Sequence, residues 1–417
     1  MHDTFRRNAT FLIASQAITA GSTFLFWLLC ARLFTPATVG LATAFISFGV
    51  LAATFTHLGL PTTVARFMPT SRRPSGLLHA ALLAVVGASI IVGTGALLLL
   101  GHVAPALAFV RSSAVLSGLL VTLITCTALL PLLDNATMAF RQGHYILLKS
   151  VALSVPRVVL PFVVAHTALT GIVGAYVLLL VAGVLGSFIL VRTKLLRHRP
   201  GRPSYAELAI HVKFTAGNYL GNIAGILPST LVPIIVLNQL GAAQAAYFYM
   251  PMQLAVFLGV IASSTAAALV SETAQHDDPE KHRVQALAAI AHLFRMLVPA
   301  AAFLAIAGWV VLRLYGQAYS THGYAALVVL CIASIFVGVN WIGDTWLIIT
   351  KRMTAYFGMN VVNAALVVVL ATAGASHGLL GVSVGWLLGQ SLTALLFGVL
   401  FGPRRAIYGY LRSSNRT

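Results

Sequence analysis

Apolar runs of about 18 residues or more recur from one end of this chain to the other. Each is long enough to cross a hydrocarbon layer of roughly 30 Å, so the solvent for most of the chain is lipid. Composition agrees. Of 417 residues, 59% are hydrophobic and only 8% charged, and the mean hydropathy is +0.93. A soluble domain carries about 25% charged residues, and 26 Lys+Arg with 8 Asp+Glu cannot cover a water-soluble protein of this length. The expected fold class is an all-α polytopic membrane protein.

Breaks between the runs give twelve expected transmembrane helices, near 11–34, 37–60, 76–101, 114–138, 146–168, 171–192, 208–237, 243–271, 285–314, 323–350, 354–374 and 377–402. The breaks hold turn chemistry, as in Thr35-Pro36 and Arg73-Pro74-Ser75-Gly76. Orientation follows from the basic residues. With twelve spans, one side holds the termini and the even-numbered connectors, and it carries 21 of the Lys and Arg residues. The other side carries 3, namely Arg32, Arg111 and Arg313. By the positive-inside rule both termini are cytoplasmic.

The halves resemble each other. Leu33-Phe34-Thr35-Pro36-Ala37-Thr38-Val39-Gly40-Leu41 links the first two spans, and Gln239-Leu240-Gly241-Ala242-Ala243-Gln244-Ala245-Ala246-Tyr247 links the seventh and eighth, at an offset of 206. Six spans per half make this a parallel repeat, with its axis along the membrane normal. The expected division is a six-helix bundle over 1–192, a basic cytoplasmic linker over 193–206, a second six-helix bundle over 207–403 and a basic cytoplasmic tail over 404–417.

The net charge of +18 does not indicate nucleic-acid binding. Nucleic-acid binders gather charge on one solvated face, whereas here it sits in short connectors. Cys30, Cys126 and Cys331 lie inside apolar runs with no CxxC, so neither a disulfide framework nor a metal site is expected. The first run lacks a small-residue cleavage site and is too long for a signal peptide.

Several stretches carry a family resemblance. Arg7-Asn8-Ala9-Thr10, Ala31-Arg32-Leu33-Phe34-Thr35-Pro36 with Val39-Gly40, Gly59-Leu60 and Val64-Ala65-Arg66-Phe67 resemble the first helices of polysaccharide-exporting flippases. The stretch Leu240-Gly241 through Tyr247 and Tyr315-Gly316-Gln317-Ala318-Tyr319 are similar to that family too. These flippases belong to the multidrug/oligosaccharidyl-lipid/polysaccharide (MOP) exporter superfamily. The resemblance implies two six-helix bundles around a central cavity, in the inner membrane of a bacterium. It also implies an undecaprenyl-(pyro)phosphate-linked oligosaccharide as substrate. One stretch departs from the pattern. Family members often carry an acidic residue before the end of the seventh helix, where this chain reads Leu231-Val232-Pro233-Ile234.

Polar residues inside the spans are the candidate site. Arg157 stands mid-span between Pro156 and Pro161, where an arginine costs about 2.5–3.5 kcal/mol on insertion scales. It is either a contact for the substrate pyrophosphate or a structural partner for a carbonyl freed by Pro161. Asp134 pairs more readily with Arg141 or Lys149. Arg66 and Lys213 are candidates for an electropositive cytoplasmic mouth, or simply snorkel to the interface. Gln16, Asn218 and Asn222 are candidate sugar contacts, or interhelical hydrogen bonds. Pro228 and Pro233 kink the seventh span and are candidate gating positions. Arg295 and Asp344 are expected to form a structural ion pair. Arg32 is a release-side contact or a helix-end anchor.

Enzymes acting on the same lipid-linked sugars need an acid or base at the membrane surface. The external connectors hold no Asp or Glu, and no GxxxxGK[ST] stretch marks an ATP site. The expected function is transport without cofactor or metal, by alternating access, in the service of cell-surface polysaccharide assembly. The expected unit is a monomer, with glycosyltransferases or a polymerase of the same pathway as its protein partners. The alternative is a drug or metabolite exporter of the same superfamily working as a cation antiporter. A major-facilitator transporter fits less well, because the loop from Arg66 to Pro74 lacks the acidic residue of that family's motif.

Overall fold

A computed structural model describes residues 2–197, 203–273 and 279–401. Thirteen α-helices are present among them: α1 His2–Leu33, α2 Pro36–Thr56, α3 Leu60–Phe67, α4 Pro74–Val103, α5 Ala114–Ala139, α6 Gly143–Val163, α7 Ala168–Leu190, α8 Tyr205–Leu240, α9 Ala242–Thr273, α10 Pro279–Tyr315, α11 Gln317–Ile349, α12 Met353–Gly374 and α13 Gly378–Phe401. Eleven apolar runs among the described residues are long enough to cross a membrane. The last of these, Met353–Val399, covers both α12 and α13. Their outward side chains are apolar, as at Ile91 (74% exposed) and Ile306 (78% exposed). This is a multi-pass membrane protein.

Helix ends fall where the turn chemistry puts them. Thr35 caps α2, its hydroxyl accepting from the Thr38 amide at 3.3 Å, with Pro36 in the first turn. Ser113 caps α5 in the same way through the Leu116 amide. One element differs from the sequence reading. The expected second span ran to residue 60, but α2 stops at Thr56 and the chain bends through Leu58 (φ 50°) and Gly59 (φ 68°) into α3. Two successive left-handed residues reverse the backbone and cannot continue a helix.

Contacts group the chain into two compact units, Met1–Met250 with Val310–Gly323, and Pro251–Trp309 with Tyr324–Thr417. These contact units differ from the sequence halves, because α8 falls in the first.

In the first unit α1 lies along α6, and α5 packs on α2, α3, α4 and α7. The core below α3 and α4 is built from Val64, Met68, Leu77, Leu78, Val85 and Leu132. Elsewhere in this unit the repeated stretches meet. A Cβ at Gly40 would overlap the Ala242 carbonyl and crowd the Ala246 amide, so only glycine lets the starts of α2 and α9 cross this closely.

In the second unit α12 and α13 pack as a hairpin. Gly381, Gly385 and Gly389 recur every four residues on one face of α13. Any Cβ on them would strike backbone at Gly374, Leu370 or Val367. Small residues at this spacing let membrane helices approach through backbone contact, where no hydrophobic effect drives association.

Candidate functional site

The α1–α6 seam of the first unit is polar. Thr19 donates its hydroxyl to Ser150 Oγ at 3.1 Å, while Ser22 and Thr23 donate theirs to the Thr19 carbonyl at 3.1 and 2.7 Å. Such bonds let hydroxyl residues sit inside a lipid-spanning helix without bare polar groups. Arg157 enters this seam from α6, its Nη1 donating to Ser22 Oγ at 2.8 Å. Its partner is therefore a neutral hydroxyl. Among the described residues Arg157 has no carboxylate within ion-pair distance.

Asp134 is held differently. It is bridged by Lys149 from α6, the one ion pair among the described residues. The pair borders a cavity of about 170 Å³ whose other walls include Tyr145, Leu153 and Gly186.

None of the other candidates whose side chains are described makes a hydrogen bond to Arg157. Asn222 borders a separate cavity at the α2–α3 bend, together with His57 and Tyr219. Arg66 is exposed at the end of α3, its guanidinium carbon 5.6 Å from the Phe67 ring centre. Gln16 is exposed on α1, at a spacing that shares a helix face with Thr19 and Thr23. The side chains of Lys213 and Asn218 lie outside the described residues. Pro228 and Pro233 are buried in α8, which runs unbroken through both. Arg32 is a helix-end anchor: Nε and Nη2 donate to the Leu314 and Arg313 carbonyls at 2.6 and 3.1 Å, capping α10.

In the second unit Asp344 accepts a hydrogen bond from Asn360 Nδ2 at 2.9 Å. The expected Arg295–Asp344 ion pair is corrected here, since it is absent among the described residues and Arg295 is exposed. The reason is geometric. α10 and α11 turn at Gly316, and Asp344 lies seven residues further from that turn than Arg295, or about 10 Å along a helix. α13 is tied to both neighbours in the same unit: Asn340 Nδ2 of α11 donates to Gln390 Oε1 at 2.8 Å, and the Thr393 hydroxyl donates to Asn363 Oδ1 of α12 at 3.2 Å. Among the described residues no group of His, Cys, Asp and Glu is placed to hold a metal ion.

No protein-family model and no curated protein matches this sequence. Solved structures do. An inward-facing multidrug resistance MATE-family transporter of the MOP superfamily superposes with a TM-score of 0.69, covering 94% of this chain and 98% of its own at 17% identity. A MATE structure in complex with MaL6 gives 0.64, with 96% and 95% covered at 17% identity. The fold is that of the MATE transporters. A MOP superfamily transporter from Pyrococcus furiosus, described as having a binding pocket of reverse polarity, gives 0.59 at 16% identity, with 96% and 95% covered. At these identities the likeness is one of fold.

Within this MATE-type fold the two units offer different chemistry. The first holds a guanidinium bonded to a hydroxyl, suited to an anion. The second holds a carboxylate bonded to an amide, suited to a proton or a cation. Sequence reasoning found Arg157 and Asp344 but gave neither its true partner. Ser22 carries no signal in the sequence beyond being a polar residue on the first span. Asn360 carried a usable signal, since it stands about as far beyond the α11–α12 turn as Asp344 stands before it.

Proposed function

We propose that this chain is a flippase that carries an undecaprenyl-(pyro)phosphate-linked oligosaccharide from the cytoplasmic to the outer leaflet by alternating access. The setting is a bacterial inner membrane, with α12 and α13 as separate crossings, twelve in all, and both termini cytoplasmic. One observation carries this reading. Arg157 is an intramembrane cation whose bonding partner is a serine hydroxyl and which has no carboxylate partner among the described residues. A guanidinium has five N–H donors, and Ser22 takes one of them, so donors remain for phosphate oxygens. The membrane potential acts in the right direction. An anion moved outward across an inside-negative membrane gains about 2.3 kcal/mol per charge per 100 mV.

The test is flipping of a lipid-linked oligosaccharide in reconstituted vesicles. Arg157→Ala should abolish it at normal expression, and Arg157→Lys should keep a part, because a lysine keeps the charge but loses the fork. Wild-type flipping by a well-expressed Arg157→Ala protein would exclude the mechanism.

Asp344 favours a second reading, a cation-coupled exporter of drugs or metabolites. A carboxylate held by a neutral amide has, among the described residues, no basic group there to compete with a proton or a coupling cation. If Asp344→Asn folds normally, and its export loses dependence on a proton or sodium gradient while Arg157→Ala exports normally, this reading replaces the first.

A further inference from the structure

The α2–α3 bend encloses a cavity of about 220 Å³, apart from the α1–α6 seam. Its walls come from the end of α2, the bend, α5 at Pro131, and α8 at Tyr219 and Asn222. Each polar atom there has a traceable cause. Pro131 has no N–H, so the Thr127 carbonyl four residues earlier loses its helical donor. His57 Nε2 lies 3.4 Å from that oxygen. A carbonyl only accepts, so Nε2 carries the hydrogen and Nδ1 of the neutral ring remains an acceptor.

Tyr219 answers a second backbone need. The last carbonyls of α2 have no helical donors, and the Tyr219 hydroxyl donates to Phe55 O at 2.7 Å and Thr54 O at 3.2 Å. With its hydrogen engaged, Oη can only accept, and the Leu58 backbone N–H already faces one side of it. Thr62 supplies the opposite character. Its hydroxyl is exposed and makes no hydrogen bond among the described residues, and its amide lies in the unpartnered first turn of α3. Asn222 already interacts within the protein, and its amide, with two N–H donors and an oxygen acceptor, has capacity to serve a ligand as well.

Among the described residues the lining offers both donors and acceptors, and no Asp, Glu, Lys or Arg. A carboxylate or phosphate entering it would lose hydration without meeting a countercharge. Hydroxyl groups, which donate once and accept twice, match it. Pro131, Ile223 and Ile226 give an apolar wall for the C–H face of a ring.

We propose that this cavity binds one neutral sugar ring and discriminates against an acidic one. The proposal deepens the flippase reading and rests on it, since it takes the cargo to carry a saccharide. It makes His57, Thr62, Tyr219 and Asn222 the groups that select the sugar, separate from the arginine that meets phosphate.

The experiment is saturation-transfer NMR on the full chain in nanodiscs, with methyl β-D-glucopyranoside and methyl β-D-glucuronopyranoside as probes. Thr62→Trp fills the cavity from an exposed position, and Asn222→Leu removes the amide. Wild-type protein should saturate the glucoside about fivefold more strongly than the glucuronide. Asn222→Leu should lower the glucoside signal about fivefold, the size expected for loss of one neutral hydrogen bond, and Thr62→Trp, which occupies the space itself, should abolish it. Equal signals from the two sugars, no signal from either, or a glucoside signal unchanged in both variants would overturn the proposal. The readout is binding and not translocation. Normal sugar selection beside unaffected flipping in Arg157→Ala would therefore sink the phosphate mechanism alone.

Discussion

Asp134 and Asp344 occupy matching places in the two units, and they are held in opposite ways. Each lies five residues from the end of its helix, α5 ending at Ala139 and α11 at Ile349. Each finds its partner on the next helix of a tight hairpin, at sequence separations of 15 and 16. α5 is the fourth long apolar helix of its half and α11 the fourth of the other. The position is thus repeated, but Lys149 answers the first aspartate and Asn360 the second. A lysine cancels the charge and turns the pair into a brace. An amide supplies a hydrogen bond but no countercharge. Among the described residues the first unit therefore keeps Arg157 as an intramembrane cation without a carboxylate partner, and the second keeps Asp344 as a carboxylate without a basic one.

The largest effect should come from breaking the brace. Lys149→Leu leaves Asp134 partly buried without a countercharge. Removing one member of a fully buried pair costs about 3–5 kcal/mol. The Lys149 and Asp134 side chains are 14% and 30% exposed, so about 2–3 kcal/mol is expected. Adding Asp134→Asn should recover most of the loss. The buried thiols report it unit by unit, since Cys126 lies in the first unit and Cys331 in the second. In a protein keeping only Cys126, thiol labelling on heating should begin at a lower temperature. Labelling unchanged by Lys149→Leu would remove the brace from the comparison.

Asn360→Leu is the matching change in the second unit, and its effect should be smaller. It strips Asp344 of a neutral hydrogen bond, and an unsatisfied buried acceptor costs about 1–3 kcal/mol. Cys331 should become reactive at lower temperature while Cys126 does not. Asp344→Asn keeps an oxygen for the Asn360 N–H and should stay within about 1 kcal/mol of wild type. A loss in Asp344→Asn as large as that in Lys149→Leu would make the two aspartates equivalent after all.

These partners divide by what a sequence can carry. The spans were legible because lipid imposes a length and a composition, and turn residues such as Thr35-Pro36 mark the breaks. Asp134 with Lys149 was legible because residues equally far from a tight turn lie at equal height in a hairpin. Arg295 with Asp344 failed that same arithmetic, because the two differ by about 10 Å in distance from their turn. The Arg157–Ser22 bond was not legible, because it joins the first and fifth long helices, and nothing local sets how those two helices rotate against each other. The α2–α3 bend was hidden as well. Leu58 is a non-glycine residue in the left-handed region, and hydropathy runs through it without a mark.

The smallest expected effect completes the comparison. Arg295→Gln should change stability by no more than about 0.5 kcal/mol, the range of a surface substitution that touches no buried network. Arg295 is exposed on α10 and makes no ion pair among the described residues, and Asp344 already has Asn360. Had Arg295 been the partner of Asp344, its removal would have bared a carboxylate as Lys149→Leu does, and the two variants would lose comparable stability. Labelling of a protein that keeps only Cys331 separates the cases, because Arg295, Asp344 and Cys331 all lie in the second unit. An Arg295→Gln onset within a degree or two of wild type, beside a clear fall in Asn360→Leu, makes the amide the partner of the second aspartate. A fall in Arg295→Gln as large as that of Lys149→Leu would restore the ion pair and leave the second unit with no free intramembrane charge to couple.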